Sequence, residues 1–261
     1  MKDDLALILE AAQAAGALAL DMKRQGVKRW DKGGGQPVTE ADIAVDTLLK
    51  ESLRAARPDY GWLSEETADD PARLSCRRLF VVDPIDGTIA FMRDKPWWSV
   101  SIAVVENGLP VAGVVFAPET DHLYSAELGG GALRNGAPIR PSATDRLEDS
   151  AMAADPGTIR HPAWRRPWPP MRIEARNSLA LRSVLVADGQ FDAAMALSAK
   201  SEWDIAAADL ICREAGAWIG DHKGRGFTYN KPSPTIPSLV CAAPGVAELI
   251  LERVRPIDLP N

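Results

Sequence analysis

Leu5, Ile8, Leu9, Ala12, Ala15, Ala19 and Met22 recur at the spacing of one helical face, and few breakers intervene before Gly26. The pattern predicts an amphipathic helix over residues 3–24. Residues 32–37 (Lys-Gly-Gly-Gly-Gln-Pro) read as a flexible loop. Thr39 and Asp42 then stand at capping-box spacing and open a second helix, with Ile43, Leu49 and Leu53 expected on its buried side. Leu79-Phe80-Val81-Val82 is a short apolar run that stops at Asp83-Pro84-Ile85-Asp86-Gly87-Thr88, as a buried strand does when it runs into a turn. Residues 99–106, 111–117 and 122–127 predict an antiparallel meander, because Asn107-Gly108-Leu109-Pro110 and Pro118-Glu119-Thr120-Asp121 separate them with turn formers.

Beyond about residue 145 strands and helices alternate. Strands are predicted over residues 151–154, 171–175 and 191–196, and helices over 178–187, 204–215 and 246–254. The Pro- and Trp-rich stretch 161–170 reads as an irregular loop, and no internal repeat is present. The organisation expected is two mixed α+β halves, residues 1–145 and 146–261, forming one compact unit. A chain of 261 residues with 46% hydrophobic content has enough apolar material for such a core. It contains no uncharged apolar run of about 18 residues or more, and its N-terminus begins with acids where a signal peptide would begin with bases. A cytoplasmic location is the expectation.

The polar residues narrow the chemistry. Cys76, Cys212 and Cys241 are odd in number and scattered, and His122, His161 and His222 are equally dispersed, so neither thiol nor imidazole metal sites are expected. A divalent ion would have to rely on carboxylates. The formal charge of −6 argues against nucleic-acid polymers as partners. A small anionic substrate remains compatible with it where bound cations reverse the local field.

Asp83 and Asp86 flank a constrained connection in which Pro84 fixes one backbone angle and Gly87 permits close approach. Their oxygens suit Mg²⁺, the Ile85 carbonyl between them is a further candidate ligand, and Gly87 and Thr88 would offer backbone N–H groups to a phosphate. The same residues also make an ordinary surface turn. Glu65 and Glu66 follow the apolar pair Trp62-Leu63, so one acid could enter a cleft while the other points outward; they could equally start a polar loop. Asp204 is either a ligand or the N-cap of the helix containing Ile205, Ala208 and Cys212.

Taken together, Pro37-Val38-Thr39-Glu40-Ala41-Asp42, Glu65-Glu66, Asp83-Pro84-Ile85-Asp86-Gly87-Thr88 and Trp203-Asp204 match, in order, the signatures of the inositol monophosphatase superfamily, which the chain resembles over nearly its whole length. The resemblance implies an alternating αβαβα layered sandwich of the inositol monophosphatase and fructose-1,6-bisphosphatase type. It also implies a homodimer, dependence on two or three Mg²⁺ ions per active site, and inhibition by Li⁺. Carried over residue by residue, it makes Glu65, Asp83 and the Ile85 carbonyl ligands of one ion and Asp83, Asp86 and Asp204 ligands of a second, with Glu65 helping to hold a third. Water activated by the ions would attack phosphorus directly, with Thr88 and Asp42 orienting it or taking its proton, and without a phosphoenzyme. Glu65, Thr88 and Asp42 are thus the implied catalytic set, and Asp86, Gly87 and Thr88 the implied phosphate cradle.

The substrate is a small phosphorylated metabolite in this reading. Inositol phosphatases place a glutamate seven residues before the Asp of their Trp-Asp motif, where this chain has Leu197. Lys200-Ser201-Glu202-Trp203-Asp204 is instead similar to the 3'(2'),5'-bisphosphate nucleotidase branch, which makes Lys200 and Glu202 candidate substrate contacts. Lys200 or Arg182 would meet a second phosphate, although each also reads as a solvated surface charge. An inositol-1-phosphate phosphatase is the alternative, and a non-catalytic metabolite-binding regulator a more distant one.

Overall fold

The computed structural model describes residues 2–33, 37–162 and 164–259. Helix α1 (Lys2–Gln25) leads to a short antiparallel pair, β1 (Arg29–Asp31) and β2 (Pro37–Thr39), and then to α2 (Glu40–Ala56). Pro37 is therefore the first residue of a strand, and residues 34–36 of the expected loop lie outside the described residues. Next come β3 (Gly61–Ser64), β4 (Arg78–Asp86), the short helix α3 (Thr88–Met92), β5 (Ser99–Glu106), β6 (Leu109–Ala117), β7 (His122–Glu127), β8 (Ala132–Arg134) and β9 (Ala137–Pro138). These strands form a seven-stranded sheet in sequence order from β3 to β9. The pairs β4–β5, β5–β6 and β6–β7 are the antiparallel meander, and β3 lies parallel to β4.

The second sheet is built from β10 (Ala151–Ala153), β11 (Arg172–Glu174), β12 (Ala193–Ala196), β14 (Trp218–Gly220) and β16 (Leu239–Ala242), in the order β11-β10-β12-β16-β14. Around it run α4 (Pro156–Ile159), α5 (Leu179–Ala187), α6 (Ala206–Ala215) and α7 (Pro244–Val254), while β13 (Lys200–Ser201) pairs with β15 (Thr235–Ile236). Strands β14 and β16 have no counterpart in the sequence reading. Each is only a few residues long, too short for an alternation to show.

The side-chain alternation of the strands sets the layers. Along β5, Val100, Ile102 and Val104 join the apolar layer with α1 and α2, while Ala103 and Val105 face α5 and α6. Along β16, Leu239 and Cys241 face α5 and α6, while Val240 and Ala242 face α7. The result is the αβαβα sandwich: α1 and α2, the seven-stranded sheet, α5 and α6, the five-stranded sheet, then α7. Because α5 lies between two sheets it is apolar on nearly every side. Gly113 on β6 lets α6 come close, since a Cβ there would stand 2.9 Å from the Ala207 carbonyl oxygen.

Helix α2 buries Ala41, Val45, Leu49 and Leu53, whereas Ile43 is exposed. The buried stripe runs through 41, 45, 49 and 53 and leaves position 43 on the opposite side of the helix. Helix α1 is long and apolar enough, by length and composition, to cross a membrane. In this fold its Ile8, Ala12, Ala15 and Ala19 are fully buried with α2 and the meander. Its Asp4 accepts hydrogen bonds from Arg57, Arg78 and Tyr60.

Candidate active site

Strand β4 carries two of the acids, and a regular strand would point residues 83 and 86 to opposite faces, since their separation is odd. The ladder to β5 slips between them: Asp83 pairs with Ser101 and Asp86 with Ser99. This extra residue bends the strand end and lets both carboxylates line one cleft. Asp83 accepts from the Ile85 amide at 3.1 Å. Asp86 accepts from the Ser178 hydroxyl and from the Leu179 and Ala180 amides at 3.0 and 2.7 Å, which places it on the N-terminus of α5. Gly87, the N-cap of α3, has φ +98°, and a Cβ there would stand 2.9 Å from the Trp97 carbonyl and 3.0 Å from the Ser178 amide. Only glycine suits both the backbone angle and the contact.

Glu65 reaches the same cleft from the end of β3, where its amide donates to Val82 and prolongs the parallel ladder. Asp46 of α2 fixes this turn from below, accepting the hydroxyls of Ser64 and Thr67 on either side of the Glu65-Glu66 pair. Glu66 does not point outward as expected. Its side chain is 3% exposed and is held by Lys32, whose amine also lies 3.7 Å from Glu65. Burial raises the Glu66 carboxyl above its ordinary range, and the Lys32 pair opposes that rise.

Asp42 divides its carboxylate between two tasks. Oδ2 accepts from the Thr39 amide at 2.8 Å and the Thr39 hydroxyl at 2.6 Å, completing a capping box, while Oδ1 accepts from the Thr88 hydroxyl at 3.1 Å. Asp204 is not the N-cap of α6, which Ile205 occupies. One of its oxygens instead accepts from the Ser201 amide at 2.8 Å, and the residue lines the cleft.

Two cations complete the lining, Arg182 from α5 and Lys200 from β13, together with Asn177. The Arg182 Nε is buried without a hydrogen-bond partner among the described residues. Glu202 is the exception to the sequence expectation. It is fully buried, and its carboxylate accepts from the Asn230 and Lys231 amides at 2.7 and 3.1 Å. In the turn after β13, Glu202 faces the loop that follows Tyr229, so it holds that loop and is not among the residues lining the cleft. Arg73, also buried, ties the same loop to the segment after Glu65 through Asn230, the Lys231 carbonyl and Asp69. Ser178, Asn177 and Lys32 were not singled out from the sequence. Ser178 left one signal, standing as the N-cap of a predicted helix, but its bond to Asp86 spans 92 positions.

The cleft, about 320 Å³, concentrates negative charge. Burial, and after it the neighbouring acids Glu65, Asp86 and Asp204, hold the Asp83 carboxyl well above the usual carboxylate range. Burial pushes Glu65 up to about 8 against the opposing pull of Lys32, and Asp204 up to about 7, with Asp86 adding to the rise. Burial also raises Asp42 and lowers Arg182 and Lys200. Such a cluster is relieved by cations, and its donors are hard oxygens, which suit Mg²⁺. Among the described residues no three acids, histidines or cysteines are drawn together into a ready-made cage. Each carboxylate is instead turned to a local donor, and Mg²⁺, which keeps several waters, needs only one or two protein carboxylates per ion.

Layered sandwich and carboxylate cleft together define a phosphatase of the αβαβα class. The chain belongs to the inositol monophosphatase family, whose sequence model matches residues 2–258. It is 34% identical over 235 residues to an inositol-1-monophosphatase of Rhizobium meliloti, covering 87% of this chain and 86% of that protein. A histidinol-phosphatase of Chlorobaculum parvum is 34% identical over 231 residues, with 86% and 88% covered. A 3'(2'),5'-bisphosphate nucleotidase of Aggregatibacter actinomycetemcomitans is 32% identical over 232 residues, with 86% of each covered. Among solved structures, an inositol monophosphatase of Thermotoga maritima superposes with a TM-score of 0.84 at 29% identity, covering 97% of this chain and 96% of that one.

Proposed function

We propose that this phosphatase uses Mg²⁺ to hydrolyse a bisphosphorylated nucleotide, releasing the 3'-phosphate of a 3'-phosphoadenosine 5'-phosphate-like substrate. The observation that carries the reading is the composition of one cleft, in which Glu65, Asp83, Asp86 and Asp204 face Arg182 and Lys200. The acids, with the Ile85 carbonyl, would hold the ions, and the two cations would meet a second anionic group that an inositol monophosphate lacks. When bound, Mg²⁺ supplies Lewis-acid activation of water and stabilises charge on the departing oxygen.

The chain's own residues account for the rest. Thr88 donates its hydroxyl proton to Asp42, which leaves the Thr88 oxygen as an acceptor for a proton of the attacking water. Burial raises the proton affinity of Asp42, in the direction a base requires. The Gly87-Thr88 turn lines the floor of the cleft, where its amides would receive phosphate oxygens. Inhibition by Li⁺ and a homodimeric assembly belong to the same reading.

One observation favours the second reading, an inositol-1-phosphate phosphatase. Leu197 lines a neighbouring cavity and not the carboxylate cleft, so an apolar residue there does not by itself remove hydroxyl recognition from the cleft. Comparing kcat/KM for 3'-phosphoadenosine 5'-phosphate and inositol 1-phosphate at saturating Mg²⁺ decides between them. The nucleotide is expected to win by roughly tenfold or more, because a cation pair without its second anion gains nothing from binding. A faster inositol ester would replace the nucleotidase reading and leave the phosphatase in place.

A further inference from the structure

A second cavity lies beside the cleft. It encloses about 590 Å³ between Asp155 and Thr158, Trp164, Leu197, and Arg253 and Ile257 at the end of α7. The topology sets it on the same edge of the sheet as the cleft. Strand β10 is parallel to both β11 and β12, so their C-terminal ends open on one edge of the sheet. That edge carries Asp155 after β10, Asn177 after β11, and Leu197 and Lys200 after β12. Asn177 and Lys200 belong to the cleft, and Asp155 and Leu197 to the cavity. Arg182 lines the cleft, and Asp155 of the cavity is among the carboxylates acting on it, together with Asp86 and Asp204. A crevice along the carboxyl ends of parallel strands is where open α/β sheets take their ligands.

The walls of the cavity are built for a flat ring. Trp164 is fixed by a hydrogen bond from its indole N–H to the Thr158 carbonyl at 2.7 Å and by edge-on packing against Trp168 at 5.2 Å. Arg253 covers the Trp168 ring, and its Nε is buried without a partner among the described residues. Leu197 and Ile257 add apolar wall, which leaves the hydroxyls of a polyol unpaired but suits an aromatic heterocycle. The Asp155 carboxylate offers an acceptor to an exocyclic amine. We propose that this cavity binds the base of a purine nucleoside phosphate whose ester lies in the carboxylate cleft, with Trp164 as the stacking surface. The assignment rests on the phosphatase reading of that cleft.

The test is the ratio of kcat/KM for adenosine 3'-phosphate to that for glycerol 2-phosphate, measured at saturating Mg²⁺ in the wild type, Trp164→Ala and Trp164→Phe. In Trp164→Ala the ratio should fall about tenfold or more through KM for the nucleotide, and Trp164→Phe should restore most of it. Leu197→Glu, which sets a like charge beside Asp155 without touching the tryptophans, should lower the ratio as well and serves if Trp164→Ala does not fold. A ratio unchanged within about twofold in a folded variant overturns the cavity assignment while the phosphatase reading stands. Hydrolysis of neither ester by the wild type overturns the reading on which both depend.

Discussion

The Thr88 hydroxyl donates to Asp42 Oδ1 at 3.1 Å, while Oδ2 of the same carboxylate closes the cap of α2 on Thr39. One acid thus ties the start of a helix to the turn that follows β4, and the cap and the bond to Thr88 use different oxygens.

That division separates two variants. Thr88→Val removes the hydroxyl and leaves the capping box intact, so kcat should fall by about 10²- to 10⁴-fold with little change in KM or melting temperature. Asp42→Ala should lose activity and also destabilise the fold by about 1 kcal/mol or more, through the lost cap. Steady-state kinetics and thermal melts read both. A Thr88→Val protein that melts early but keeps its kcat would assign Thr88 to stability alone.

The raised carboxyls make the metal-free protein sensitive to pH in a definite direction. Glu65 at about 8 and Asp204 at about 7 hold their protons in the folded state across a range where the unfolded chain has released them. The folded state therefore binds more protons than the unfolded one, and stability falls as pH rises from about 4 to about 8. In EDTA the protein should melt lower at pH 8 than at pH 5, and Mg²⁺ should restore more stability at pH 8. Melts at both pH values, with Glu65→Gln as the control that flattens the slope, check this. An equal Mg²⁺ increment at the two pH values would contradict it.

Asp86 is predicted to be the least replaceable of the acids. Its carboxylate receives the Ser178 hydroxyl and two amides at the N-terminus of α5, so Asp86→Asn turns an acceptor into a partial donor against buried donors. The cost should be about 1 to 3 kcal/mol, visible in a denaturant titration. A variant as stable as the wild type would show that α5 does not depend on this carboxylate.

Legibility of the site followed sequence distance. Asp83, Ile85, Asp86, Gly87 and Thr88 are neighbours on one turn, and Thr39 and Asp42 on another, so local chemistry exposes them. The slip between Asp83 and Asp86 that brings both acids to one cleft belongs to strand pairing and leaves no mark on the local sequence. Contacts that bridge distant elements were hidden for the same reason, such as Lys32 with Glu66 and Ser178 with Asp86. Glu202 stands two residues before Asp204 and has the charge of a site residue, but only the fold reveals that its partners are amides of Asn230 and Lys231. The antiparallel meander was more accessible, because turn formers bound the apolar runs of β5, β6 and β7, whereas the layered sandwich followed from the family resemblance.

The reassignment of Glu202 has its own consequence. Glu202→Ala leaves two loop amides without their buried acceptor and should cost about 2 kcal/mol or more. Because the same loop is joined through Arg73 to the segment after Glu65, the concentration of Mg²⁺ needed for half-maximal activity should rise, while substrate KM at saturating Mg²⁺ changes little. Titrating activity against Mg²⁺ and then against substrate separates the two. A rise in substrate KM alone, in a protein of unchanged stability, would return Glu202 to the substrate.

The central claim, that the acids at the end of β4 hold the ions that drive phosphate release, is tested most directly by Asp83→Asn. The substitution keeps the shape of the side chain and removes a buried charge that its neighbours already oppose, so the metal-free variant should melt at or above the wild type at pH 8. Phosphate release from 3'-phosphoadenosine 5'-phosphate at saturating Mg²⁺ should nevertheless fall by about 10³-fold or more, to the level the wild type shows in EDTA. Near-wild-type turnover by a folded Asp83→Asn protein would contradict the site.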